Sequence, residues 1–102
     1  MQGKLLYEYA VIRIVPRVER SEFINAGVIL FCRDAQFLGM RYLVDEGKIL
    51  AMHAESDIEK MKHLLNAFKD ICMGKKEAGV IARAGMADRF RWLTAQRSTL
   101  IQ

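Results

Sequence analysis

Two short blocks hold the residues with the most chemistry to offer. The first, "VIRIVPRVERSEFIN" at 11–25, crowds Arg13, Arg17, Glu19, Arg20, Glu22 and Asn25 between two apolar segments. The second, "RFRWLTAQRST" at 89–99, interleaves Arg89, Arg91 and Arg97 with Phe90 and Trp92 and ends in Ser98 and Thr99. Guanidinium groups fork two hydrogen bonds to a phosphate or carboxylate, so either block can hold an anion. Glu19 and Glu22 can equally pair with the neighbouring arginines and fix a loop, each exposed pair adding less than about 1 kcal/mol. Cations beside aromatics grip single-stranded nucleic acid by phosphate pairing and base stacking. Trp and Arg are also the residues enriched at protein-binding hot spots. Alternatively, Phe90 and Trp92 are core anchors among solvated arginines.

Catalytic patterns are missing. The sequence holds no phosphate-cradling glycine loop, nucleophile elbow or HExxH run, and no cofactor fingerprint. His53 and His63 stand ten residues apart with no acid or cysteine at ligand spacing. Glu19 or Glu22 can act as a general base only if the fold presents a substrate to it.

Composition sets the frame. The chain of 102 residues has the length of one domain, and with 52% hydrophobic residues it can bury a core without staples. Its net charge of +4 comes from 16 Lys and Arg against 12 Asp and Glu. The surplus concentrates between Lys75 and Arg97, where six cations face two anions, a local basic patch. Cys32 and Cys72 sit in apolar settings without a CxxC pairing and read as buried, reduced thiols of a cytoplasmic protein. Glu8 and Arg13 interrupt any signal-peptide core, and no apolar run is long enough to span a bilayer.

The elements that must position the blocks follow from pattern. Leu5 to Val15 reads as a strand with Tyr7, Tyr9, Val11, Arg13 and Val15 on one face and Ala10, Ile12 and Ile14 on the other. Pro16 should end that strand or place it at an edge. Phe23 to Cys32 is almost wholly apolar and reads as a strand covered on both faces, with Gly27 marking a bulge or a close backbone approach. Arg33 to Gln36 is a tight connection to a third strand, Phe37 to Val44, so a meander is expected. Asp45 caps a short helix through about Met52. Ser56-Asp57-Ile58-Glu59 reads as a capping box with Ser56 as N-cap. Behind it Ile58, Met61, Leu64, Leu65, Phe68, Ile71 and Cys72 share one helical face, and Gly74 suits the left-handed terminator. Lys75 to Met86 reads as loop, Asp88 to Leu93 fits a helical turn or a strand, and Leu100 and Ile101 look extended. The expected fold is α+β: an antiparallel meander of three or four strands packed against one main amphipathic helix plus short helical segments.

Against that frame, "YEYAVIRIVPRVERSEFINAGVILFC" at 7–32 and "DRFRWLTAQRSTLIQ" at 88–102 resemble the two signature blocks of a bacterial family catalogued as domain of unknown function 3037. The likeness covers nearly the whole chain. Ser21 and Ala26 stand where the family pattern leads one to expect a more acidic and a larger apolar residue. The family continues past the Arg-Ser-Thr run, so the chain reads as a shortened member. The resemblance implies a partner-regulating role, through genes neighbouring HipA-type kinases, and makes Arg13–Asn25 and Arg89–Ser98 the family's distinguishing blocks. If these converge, Arg13, Arg17, Arg20, Arg89 and Arg97 supply charge, Asn25 and Ser98 orient a ligand, Trp92 anchors it, and Glu19 and Glu22 hold the arginines. The expectation is a non-catalytic, cytoplasmic module that binds a partner protein or an anion, with homodimerisation open at an edge strand. The alternative is a nucleic-acid-binding module using the same residues. More distant is a nucleotide- or phosphoryl-processing enzyme with Glu19 or Glu22 as base.

Overall fold

The computed structural model describes residues 6–16 and 22–95. Three strands form one antiparallel sheet: β1 (Glu8–Ile14), β2 (Ile24–Cys32) and β3 (Phe37–Tyr42), in the order β1-β2-β3. Helices α1 (Glu46–Met52), α2 (Ile58–Cys72) and α3 (Met86–Leu93) follow, with two 3-10 turns, Lys76–Ala78 and Ile81–Arg83, between α2 and α3. The fold is α+β, with three strands among the described residues. The expected extended segment at Leu100 and Ile101 lies outside them.

Alternation decides which side of the sheet is buried. Ile12 and Ile14 of β1, Ile29 and Phe31 of β2, and Leu38 and Met40 of β3 join one core with Met61, Leu65, Ile71 and Cys72 of α2 and Phe90 and Leu93 of α3. The helices therefore cover one face. β1 ends at Ile14, two residues before Pro16, and among the described residues it is an edge of the sheet.

The sheet has one irregularity, between Ile12 and Arg13. Ile12 pairs with Gly27 but Arg13 pairs with Asn25, which leaves Ala26 as the extra residue of a bulge. Its carbonyl accepts a hydrogen bond from the Leu43 amide at 2.8 Å. Gly27 serves both purposes that its place in the sequence predicts. It sits beside the bulge, and a Cβ there would lie 2.1 Å from the Arg41 carbonyl oxygen.

Helix ends follow local chemistry. The Asp45 side chain accepts from the Lys48 amide and starts α1. At α2 the N-cap is Asp57, whose side chain accepts from the Lys60 amide, and not Ser56. The Ser56 hydroxyl instead donates to the His53 carbonyl at 2.7 Å, which occupies it in the preceding turn. Both residues are good caps, and only the turn geometry distinguishes them. At the other end Gly74, at φ +72°, sends its amide to the Ile71 carbonyl, while the Lys75 amide reaches the Asp70 carbonyl. This is the Schellman arrangement that a glycine at this position makes accessible. Exposed ion pairs, Lys62 with Glu46 at 2.9 Å and Lys75 with Asp70 at 3.2 Å, tie α1 to α2 and α2 to the chain beyond it. The hydrogen bond to Glu46 and its charge push the Lys62 ammonium above its ordinary range.

Candidate functional site

Among the described residues, no element covers the second face of the sheet. Outward-pointing residues are Tyr9, Val11 and Arg13 of β1, Asn25, Val28 and Leu30 of β2, and Phe37, Gly39 and Arg41 of β3, by alternation from the core set with a break at the Ala26 bulge, while Cys32 at the far end of β2 is fully buried. In register, Val11 stands beside Val28 and Arg41, and Tyr9 beside Leu30 and Gly39. Tyr9 is 70%, Val11 47% and Val28 39% exposed. The expectation that β2 is covered on both faces therefore does not hold among the described residues. Its unbroken apolar run arises because one face meets the helices and the other is apolar yet uncovered by any described element.

The surface of this face has shape. The Phe37 ring lies across Gly39, where a Cβ would come within 2.5 Å of its Cζ. A depression of about 260 Å³ is lined by Val28, Leu30, Phe37, Gly39, Met40 and Arg41. At one end, the Arg13 guanidinium sits over the Phe23 ring, 4.8 Å from its centroid, a contact that uses the ring's negative face. Arg41 stands nearby, on the rung of Val11 and Val28. The outward strand positions thus carry two arginines and no carboxylate.

The two arginine blocks do not form one surface in their described parts. Arg13 and Asn25 belong to the open face, and Glu22 is exposed just before β2. Arg89 belongs to α3, on the covered side, so the sheet lies between them. Arg17, Glu19, Arg20, Arg97 and Ser98 lie outside the described residues.

Within the second block, helical geometry sends neighbours in different directions. Phe90 is buried, its ring stacked on Phe31 at a centroid distance of 5.2 Å. Trp92 is 39% exposed and meets Phe68 edge-on at 5.8 Å. Arg91 is exposed and paired with Asp88 one turn away. Arg89 turns inward and donates from Nη1 to the Ala84 carbonyl at 2.6 Å. Its guanidinium also lies against Gly74, near the C-terminal end of α2, where helix carbonyls favour a cation. Burial pushes the nearby Cys72 thiol up from its ordinary range, and the charges of Arg89 and Lys69 oppose that shift only in part. Cys32 and Cys72 are both free and buried.

Sequence reasoning missed Tyr9, Val11, Val28, Leu30, Phe37 and Arg41 as a functional set. The signal was present in β1, whose odd-numbered face carries Tyr9, Val11 and Arg13 together, and in the apolar even positions of β2. Among the described residues no group of three His, Cys, Asp or Glu can hold a metal ion, and no helix is long and apolar enough to cross a membrane. Comparison with curated proteins and with solved structures finds no match. The family model described as "Protein of unknown function (DUF3037)" matches residues 9–102, so it takes in the open face and both arginine blocks. The chain belongs to the DUF3037 family.

Proposed function

We propose that this domain is a non-catalytic module that docks a partner protein on its open sheet face. The observation that supports this is the continuous apolar surface of Tyr9, Val11, Val28, Leu30 and Phe37, bordered by Arg13 and Arg41 without a carboxylate between them. Three strands of six to nine residues give a face of about 15 by 20–30 Å. That lies within the roughly 300–600 Å² of the largest patches on soluble proteins, which are often functional. The occupant that fits is a protein surface with an apolar centre and an acidic rim. A second copy of this chain would bring two more arginines to the contact and, at the described outward strand positions, no carboxylate to meet them, so charge complementarity disfavours it. Nucleic acid would meet Tyr9, Phe23 and Phe37 at the periphery, but the middle of the face is aliphatic and offers bases little to stack on.

The test is in-cell photocrosslinking from a photoreactive phenylalanine analogue at Val28, in cells that naturally encode the protein. The expected result is one heterologous protein adduct, lost when Arg13 and Arg41 are both changed to Glu and reproduced with the two purified proteins. An adduct of twice the chain mass, a nucleic-acid adduct, or one indifferent to charge reversal would overturn the proposal.

A further inference from the structure

A separate feature lies on the helix side of the sheet. Phe31, Arg33 and Gln36, at the end of β2 and in the β2–β3 turn, face Gly85, Met86, Ala87 and Arg89, at the start of α3, across a cleft of about 520 Å³. That volume is within the 300–1,000 Å³ usual for small-molecule sites. We infer that this cleft binds the phosphate group of a small molecule between the guanidinium groups of Arg33 and Arg89.

Charge is the main reason. Arg89 is more than half buried yet has no carboxylate partner among the described residues. One of its N–H groups goes to the Ala84 carbonyl, and its Nε is buried without a hydrogen bond. Burying a charge is costly unless it is paired; the Ala84 carbonyl and the C-terminal end of α2 offset part of that cost, and an anion beside the cation would offset more of it. Arg33 comes to the same cleft from a different element and also lacks a carboxylate partner among the described residues. Two arginines lining one cleft from different elements suit the several acceptor oxygens of a phosphate.

The rest of the wall supports the same ligand. Gln36 brings an amide from the turn, and its backbone is held at φ +50° by the hydrogen bond from its amide to the Arg33 carbonyl. Gly85 precedes α3 without any side-chain cap, so the first helical amides are not taken by a side chain. Phe31, Met86 and Ala87 supply apolar wall for the body of the molecule. The cleft lies on the helix side of the sheet and the docking face on the other side, so the two are independent, and either can fail without the other.

The experiment titrates the isotopically labelled full chain with inorganic phosphate and with AMP, at constant ionic strength, following the amide resonances of Gln36, Met86 and Ala87. The expected result is saturable shifts at these residues, with Kd raised at least tenfold by Arg33→Ala and several-fold by Arg89→Lys. Unchanged resonances elsewhere establish that both variants are folded. Tighter binding of AMP than of phosphate assigns the apolar wall to the ligand's body, and equal binding assigns the site to the free ion. Shifts that do not saturate with either probe, or that persist unchanged in Arg33→Ala, overturn the inference.

Discussion

Replacing Gly27 with alanine is expected to destabilise the domain by about 3 kcal/mol or more, at or beyond the upper end of the usual overpacking cost. The added Cβ would stand 2.1 Å from the Arg41 carbonyl oxygen and 2.8 Å from the Tyr42 Cα. Both obstacles are backbone, so no side chain can rotate to make room. The clash falls beside the bulge at Ala26, where β2 changes its register against β1 while still pairing with β3. Opening the β2–β3 spacing there would also strain the bond from the Leu43 amide to the Ala26 carbonyl. In a domain of this size such a loss lowers Tm by roughly 12–24 °C. Gly39→Ala is the natural control. Its Cβ meets the far end of the Phe37 side chain, which can swing aside, so its cost should stay near about 1 kcal/mol, the centre of the usual range for single substitutions. Thermal and urea unfolding of the two variants measure the difference, and equal stability would contradict the close approach.

The second large effect separates Phe90 from Trp92. Phe90→Ala should cost about 3–5 kcal/mol, because it empties a buried site and removes the ring stacked on Phe31. Trp92→Ala should cost less, about 2 kcal/mol, since the indole is partly exposed, gives up only part of its apolar burial and meets Phe68 by its edge. The comparison distinguishes a helical second block, which buries one aromatic and presents the other, from a platform that presents both. Denaturant midpoints at unchanged m-value read it directly. Equal costs would contradict the helical placement.

Most of the architecture was legible because it is specified locally. Pro16, Gly27, Asp45 and Gly74 each act through their own backbone or side chain, and all four do what their residue type demands. The spacing of Met61, Leu65 and Cys72 likewise fixes the buried side of α2. Less was legible where two residues compete for one role, as Ser56 and Asp57 do, since the choice depends on the turn at His53. Asp88 to Leu93 is too short for its periodicity to separate helix from strand, and packing of Phe90 on Phe31 accompanies the helix that forms.

The candidate site was the least legible part. The apolar character of β2 is the same whether its second face is covered or open, because both require apolar side chains at alternate positions. A sequence also cannot show which side of a sheet a distant block will reach. Arg13 and Arg89 therefore resemble parts of one basic surface along the chain, while the fold places the sheet between them. The cleft beside Arg89 was hidden for the same reason. Arg33 and Gln36 look like ordinary turn residues until α3 is set opposite them.

The openness of the outward sheet face is the point on which the account most depends. A Val28→Cys variant probes it, because Cys32 and Cys72 are buried and should react slowly in the folded chain. The rate of modification by a thiol reagent should be measured over a wide range of protein concentration. The account predicts one fast-reacting thiol per chain, at a rate that does not change with concentration. A thiol at position 28 as slow as the two native cysteines, or one increasingly protected as concentration rises, would show the face already covered, and would contradict it.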